Sequence, residues 1–299
     1  MSFSYDTKVE LCKSPKGGKC CAIAECYGML MFCNTFSARE IKIITGNLSL
    51  GQRLTEQFSD AFSISFDILP EAGKIGKQSY VINNPEKLGE VVDTYGFSLE
   101  NLLAHHVNLG VLEEDCCRRS FIRGAFLTGG AITDPAKSYH LEIVTDHYSV
   151  SRETYSLLLE MGFSPKEAVR GGNYVTYFKQ SSAIEDFLTM IGAPIHAMEL
   201  MSAKIEKDMR NSINRKVNCD TANVGKIVDA ATYQINAIKK IGTAGVFEAL
   251  PEKLRQTAIL RLQNPEMSIK ELADMSAPPV TKSCINHRLR KLIEMSDTH

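Results

Sequence analysis

Up to residue 194 the chain runs through one succession of segments twice, and this duplication constrains the fold more than any other feature. The first copy opens with a helical stretch over residues 19–32, KCCAIAECYGMLMF, followed by the strand-like REIKIITGN and the helical LSLGQRLTEQFSDAF. Two strand candidates ending in QSYVINN and the helical NPEKLGEVVDTYG complete it. The second copy reads EEDCCRRSFIRGAFLTGG, SYHLEIVTD and SVSRETYSLLLEMGF, then KEAVRG and NYVTYFKQ across a Gly-Gly turn signal, then SSAIEDFLTMIG. Gly28 matches Gly124, Ile41 matches Leu141 and Val81 matches Val175, each roughly a hundred residues on. Apolar side chains alternate in the strands, as at Leu141, Ile143 and Thr145, which suits a sheet covered by helices on one face. The pattern predicts an α+β fold of two αββαββα-like halves related by pseudo-symmetry.

Beyond Pro194 the strand patterns stop. Residues 196–216 and 223–241 read as two long helices joined by a polar turn around Asn218, Cys219 and Asp220. The first carries Lys204, Lys207, Arg210, Arg215 and Lys216 against Glu206 and Asp208, either a solvated linker face or a phosphate-contacting strut. A break over Gly242–Gly245 leads into a compact helical module at about 250–296. The expected domains are therefore 1–194, with halves of about 1–96 and 111–194, a helical linker over 195–249, and a terminal domain over 250–299. A length of 299 residues accommodates this, at roughly 150 residues per domain.

Composition narrows the function. With 44% hydrophobic and 23% charged residues the chain can build a full core. Its net charge of -1 means that any affinity for nucleic acid must come from a local surface. No apolar run reaches the roughly 18 residues of a membrane span, and the amino-terminal stretch lacks a signal-peptide core, so a cytoplasmic protein is expected, with no membrane partner. The nine cysteines include the adjacent pairs Cys20-Cys21 and Cys116-Cys117. Paired zinc-type spacings are missing, so they read as buried free thiols in a reducing compartment, with no metal or cofactor expected.

The terminal module carries the clearest chemistry. Leu254, Ala258, Ile259 and Leu262 form an apolar stripe at helical spacing, ended by Pro265. Ser268 and Glu271 have the spacing of a capping box and open a short second helix with Ile269, Leu272 and Ala273 inward. Ser276-Ala277-Pro278-Pro279 cannot continue it, because proline lacks the amide donor. Thr281 is suited to cap a third helix, in which Ile285, Leu289 and Leu292 recur on one face. Opposite them stand Lys282, Ser283, Asn286, His287 and Arg290, with Arg288 and Lys291 at the flanks and no acid from Val280 to Ile293. Arginine and asparagine read guanine and adenine edges, and lysine and serine hold backbone oxygens. The order of elements is that of a helix-turn-helix with its recognition helix in the major groove of double-stranded DNA. The alternative is a small packing domain with a solvated basic face.

The opening helices of the two halves, CYGMLMFCN over 26–34 and IRGAFLTGG over 122–130, resemble divergent LAGLIDADG motifs. Gly28, Gly124 and Ala125 would let these helices pack closely on the pseudo-two-fold axis. In that family the acid before the final glycine holds divalent metal for DNA cleavage. Here the position is Cys33 in one motif and Gly129 in the other, and neither offers a hard-cation ligand. Asp134 is the only acid close to the second motif. A duplicated LAGLIDADG homing-endonuclease-like domain followed by an all-α helix-turn-helix domain is the arrangement of the WhiA family. The chain resembles that family over essentially its full length, most specifically in FIRGAFLTGGAITDP, RKVNCDTAN and VTKSCINHRLRKL. The resemblance implies a transcription regulator with roles in sporulation, cell division and chromosome segregation, working at the nucleoid, with other regulatory or division proteins as further partners.

Two rivals stand beside a non-enzymatic DNA-binding regulator. A residual nuclease would need acids at Cys33 and Gly129. A protein-binding scaffold of the division machinery would make DNA binding secondary. His105-His106 reads as a helix surface or turn without metal geometry, and TGGAIT follows a helix and lacks the lysine of a phosphate loop. Cys33 or Cys117 as a nucleophile lacks an identifiable base.

Overall fold

A computed structural model describes residues 2–71, 76–99 and 105–298 and divides into two compact units, Met1–Asp208 and Met209–His299. The first unit begins with a helix that the sequence pattern does not announce, α1 (Phe3–Lys13), where only Thr7 and Leu11 are fully buried. The first half follows as α2 (Lys19–Met31), β1 (Thr35–Phe36), β2 (Ile41–Thr45), α3 (Leu48–Phe62), β3 (Gln78–Ile82) and α4 (Pro85–Thr94). The second half is α5 (Asp115–Gly129), β4 (Gly130–Ile132), β5 (Leu141–Thr145), α6 (Tyr148–Glu160), β6 (Lys166–Arg170), β7 (Asn173–Phe178) and α7 (Ser181–Ile191). Its order is αββαββα, as the repeat predicts, whereas among the described residues the first half has one strand where two are expected between α3 and α4, Ile68 making only an isolated bridge to Val81.

Local chemistry sets these boundaries. Asn47 caps α3 by accepting from the Leu50 amide at 3.2 Å, and Asn84 caps α4 just ahead of Pro85. Gly171 and Gly172, at φ 58° and 86°, make the tight β6–β7 hairpin, a backbone that glycine adopts without steric cost.

The strands form two antiparallel sheets, β1-β2-β3 and β4-β5-β7-β6. Ile41, Ile43, Leu141 and Ile143 are buried beneath the helices, while Lys42, Ile44, Glu142 and Val144 point to the open face. The register corrects one expected correspondence. Lys42 pairs with Val81, whereas its counterpart Glu142 pairs with Tyr177, so Val81 is equivalent to Tyr177 and not to Val175. A slip of two residues keeps every side chain on its face, so the apolar pattern cannot detect it.

Helices α2 and α5 cross at the centre of this unit. A Cβ on Gly28 would stand 2.0 Å from the Phe121 carbonyl oxygen, and one on Gly124 would stand 2.0 Å from that of Glu25. The contact is reciprocal, each glycine meeting the carbonyl three residues before the other, so backbone packs on backbone. Around it Met29, Phe121 and Phe126 are fully buried, each contributing about 1.5–3 kcal/mol.

The two long helices expected after Pro194 are one, α8 (Pro194–Thr243), which continues through Asn218, Cys219 and Asp220. Residues 217–222 include neither glycine nor proline, and asparagine or aspartate costs only about 0.7 kcal/mol or less in a helix. Its start is tied to α1, where the Glu10 carboxylate accepts from the amides of Ile195 (2.8 Å) and His196 (3.1 Å). Ala197 and Leu200 then complete the core of the first unit, which runs past Pro194 to Asp208. Arg210, Arg215 and Lys216 are exposed, while Lys204 pairs with Glu185 and Lys207 lies over the Tyr139 ring.

In the second unit α8 leads to α9 (Glu252–Gln263), α10 (Ile269–Met275) and α11 (Lys282–Asp297). Ile238, Ile241, Leu250, Leu254, Ala258, Leu272, Ala273, Ile285, Leu289 and Leu292 form their core. Among the described residues no helix is long and apolar enough to cross a membrane.

Candidate nucleic-acid interface

The terminal helices are held as a helix-turn-helix requires. Ser268 and Glu271 close a capping box, Ser268 N donating to Glu271 Oε2 at 2.7 Å and Glu271 N to Ser268 Oγ at 3.3 Å. Thr281 Oγ1 accepts from the Cys284 amide at 3.3 Å and starts α11. The Val280 amide donates to the Ala273 carbonyl at 3.1 Å, bridging the turn between α10 and α11.

Ile285, Leu289 and Leu292 anchor α11 in the core, and at 100° per residue Ser283, His287 and Arg290 fall on the opposite, exposed side with Asn286, also exposed, at its edge. Lys282 and Lys291 flank them and are also exposed. Arg288 differs: it is half-buried, with Nη1 donating to Thr257 Oγ1 of α9 at 3.4 Å. The first turn of α11 has no acidic residue to offset its partial positive charge beside Lys282 and Ser283. Glu294 is the first acid along the helix.

The expected stripe on α9 holds only in part. Leu254 and Ala258 are buried, but Ile259 and Leu262 are 40% and 37% exposed, and Thr257 and Arg261 take the inward positions. Arg261 Nη1 donates to the carbonyls of Met267 (2.6 Å) and Asn264 (3.4 Å), tying α9 to the loop before α10. Burial lowers its pKa from the ordinary value. Counting apolar residues rejects an arginine at such a position, although its stem packs well and backbone carbonyls hold its Nη1, with Nε left unpaired.

At the carboxy-terminal ends of the motif helices the nuclease positions are closed. Cys33 donates its thiol to the Thr35 carbonyl at 3.1 Å, and burial pushes its pKa up to about 12. Gly129 has no room for a side chain, because a Cβ there would lie 2.7 Å from the Val144 carbonyl oxygen and 2.9 Å from Phe32 Cβ. Asp134 is exposed and engaged in its own turn, accepting from the Ala136 amide at 2.9 Å. His105 donates to the Phe36 carbonyl at 2.7 Å and stacks on His147, a more ordered setting than a surface turn. Among the described residues, the side chains that do converge with metal-ligand spacing are Cys20, Cys21 and Cys116, at the other ends of these helices. Cys20, Cys116 and Cys219 are exposed, against the expectation of buried thiols.

On the open face of the sheets, Lys42, Lys166 and Arg170 outnumber Glu142, which Arg170 (2.8 Å) and His140 (3.0 Å) already bind.

The chain is similar to known proteins throughout. A family model for the WhiA LAGLIDADG-like domain matches residues 118–210, and one for the WhiA C-terminal HTH domain matches residues 213–296. A protein of Ruminiclostridium cellulolyticum named "Probable cell division protein WhiA" is 37% identical over 305 residues, covering 99% of this chain and 97% of its own. One of the same name from Alkaliphilus oremlandii is 34% identical over 310 residues, with 99% and 97% covered. The crystal structure of full-length DUF199/WhiA from Thermatoga maritima matches with a TM-score of 0.60 at 25% identity, covering 100% of this chain and 99% of that one. The fold is thus a LAGLIDADG-like α+β unit followed by an all-α helix-turn-helix module.

Proposed function

The chain belongs to the WhiA family, and from that premise we propose that it is a sequence-specific, non-enzymatic regulator that reads double-stranded DNA through α11. The observation that carries this reading is the acid-free exposed face of Lys282, Ser283, Asn286, His287, Arg290 and Lys291 opposite the buried Ile285, Leu289 and Leu292. Asn286 and Arg290 are of the types that read base edges, Lys282 and Lys291 hold phosphates, and Arg288 braces the helix from its flank. Residues 250–299 act as the reading domain, 195–249 as the helical segment leading to it, and 1–194 as the duplicated body.

Relatives are named for cell division, and the same role is assigned here, exercised through transcription at the nucleoid and extending to chromosome segregation and sporulation. The duplicated body supplies shape and surface without cleavage, since neither Cys33 nor Gly129 can hold a catalytic metal. Genome-wide mapping of bound DNA in cells, with salt-dependent binding of the purified chain to the recovered sites, tests the proposal. Recovered sites should share a motif that Arg290→Ala no longer selects. Binding without sequence preference would reject it.

A further inference from the structure

Four of the nine cysteines meet at one place in the first unit. Cys20 and Cys21 lie in the first turn of α2, and Cys116 and Cys117 in the first turn of α5. Each member of the first pair stands 96 residues before its counterpart, the same separation as Gly28 and Gly124. The crossing that brings the two glycines together therefore also brings the two cysteine pairs together, one pair from each half of the repeat.

The sulfur spacing is that of ligands around a single ion. Sγ atoms lie 4.0 Å apart for Cys20 and Cys21 and 3.9 Å apart for Cys116 and Cys117. Those of Cys20, Cys21 and Cys116 are all within 4.8 Å of one another, and Cys20 also reaches Cys117. Zinc–sulfur bonds of about 2.3 Å in a tetrahedron set sulfur–sulfur edges of about 3.8 Å, so the two adjacent pairs already fit, and the site is completed by closing the remaining edges among Cys20, Cys21 and Cys116 by up to about 1 Å and turning Cys117 towards them. An iron–sulfur cluster spreads its four cysteines over two or four irons and needs them farther apart.

The cluster sits where two helices begin. Neither α2 nor α5 has a side-chain N-cap, so the amide ends of both helices, with their partial positive charge, adjoin the sulfurs. Gly17 passes directly over the cluster, where a Cβ would be 2.5 Å from Cys21 Sγ. Cys21 and Cys117 are buried and positioned by the fold, while Cys20 and Cys116 are exposed and leave a path for the ion. Packing accounts for the buried pair. It gives no reason for two exposed thiols at symmetry-related positions.

We propose that Cys20, Cys21, Cys116 and Cys117 bind one zinc ion, which clamps the two halves of the duplicated unit together at the amino-terminal ends of α2 and α5. Binding displaces the thiol protons to solvent and leaves the sulfurs as thiolates. The site lies at the opposite helix ends from Cys33 and Gly129 and has no open position for a reacting group once four sulfurs are bound, so its role is structural.

Metal analysis of the full-length protein, purified under reducing conditions, should find one zinc per chain. After removal with a strong chelator, cobalt(II) should restore one equivalent and produce the visible bands of tetrahedral thiolate coordination. The Cys20→Ser, Cys116→Ser double variant, altered only at exposed side chains, should lose both signals, while Cys219→Ser should keep them. Zinc should raise the thermal midpoint of the wild-type chain and leave the double variant unmoved. Reduced wild-type protein that takes up neither zinc nor cobalt stoichiometrically would overturn the proposal, as would undiminished uptake by the double variant.

Discussion

Glu25 and Arg53 form a two-pronged ion pair inside the first unit, Nε to Oε1 at 2.5 Å and Nη2 to Oε2 at 2.9 Å, each side chain only 2% exposed. Arg123 of α5 adds a third bond to Glu25 Oε2 at 3.2 Å, and Arg53 Nη1 donates to the carbonyls of Cys12 and Ser14. One carboxylate thus joins α2, α3 and α5 and orders the link between α1 and α2. Removing it strands a buried guanidinium. Glu25→Ala is expected to destabilise the protein by about 3–5 kcal/mol, read from denaturant unfolding. A loss below about 1 kcal/mol, the level of an exposed pair, would show that water reaches the site.

The α2–α5 crossing leaves no space for a methyl group. Gly28→Ala or Gly124→Ala sets a Cβ against a carbonyl oxygen, with backbone on both sides and no flexible side chain to yield. Each substitution should cost about 1–3 kcal/mol or more, as overpacking does. Gly225→Ala, in α8 with open space around it, is the control and should be neutral or slightly stabilising. Equal stability of all three variants would refute the close crossing.

Why the sequence reveals some of this and hides the rest follows from particular residues. The helices α3 and α7 are legible because their apolar periodicity is strong and Asn47 and Gly192 punctuate it, whereas α2 and α5, buried over most of their surface, are legible from the repeated motif. α1 is hidden because FSYDTKVELCK buries only two side chains completely. The continuity of α8 is hidden because a polar stretch without glycine or proline resembles a turn in composition while remaining compatible with a helix. On α11 the inward and outward faces are both legible, since an amphipathic helix separates them by angle alone. The inward Arg261 and the convergence of four cysteines are not, because each depends on a partner distant along the chain: loop carbonyls for the arginine, the other half of the repeat for the thiols.

Substitutions on α11 should separate reading from holding. Arg290→Ala and Asn286→Ala should weaken binding to the preferred site by about 1–3 kcal/mol and relax its sequence preference. Lys282→Ala should weaken binding to all sequences alike and flatten the salt dependence by about one unit of log–log slope. Fluorescence anisotropy across a salt series distinguishes the two outcomes. Unchanged affinity in all three variants would move the DNA-binding surface elsewhere.

Titratable groups packed against the core set an alkaline limit to stability. Burial raises the Cys12 and Cys33 thiols from 9.0 to about 12, so the native state keeps protons that the unfolded chain releases, and stability falls as pH rises from 9.0 towards 12. Lys8 acts oppositely: burial lowers it from 10.5 to about 8, so the native state sheds that proton first and stability rises between those values. Two thiols outweigh one lysine, so a decline is expected from about pH 9 and should steepen above about pH 10.5, in chemical unfolding followed across pH. At pH 8 iodoacetamide should label Cys219 and spare Cys12 and Cys33 until the chain unfolds. Prompt labelling of Cys33 in native protein would contradict its raised pKa and partial shielding.

Restoring acids to the two motif ends should not restore a nuclease. Metal-assisted phosphodiester cleavage needs carboxylates that are ionised, solvated enough to bind a hard cation, and free to point at the DNA. At position 33 the same burial that raises the thiol would disfavour an ionised carboxylate, so Cys33→Asp should fold with a protonated or displaced side chain that binds magnesium poorly. At position 129 the obstacle is steric. The 2.7 Å approach to the Val144 carbonyl and the 2.9 Å approach to Phe32 mean that Gly129→Asp must push β5 and the end of α2 apart before its carboxylate can reach any metal. The losses in the two halves differ in kind, so one compensating change cannot repair both. The wild-type chain, the single variants and the double variant should all leave supercoiled plasmid bearing the bound sites uncut with magnesium or manganese. Asp134, fixed in its turn by the Ala136 amide, should not substitute for the missing acids. Site-specific cleavage by the wild-type chain that disappears in Asp134→Asn would instead make this protein a nuclease with a relocated metal site.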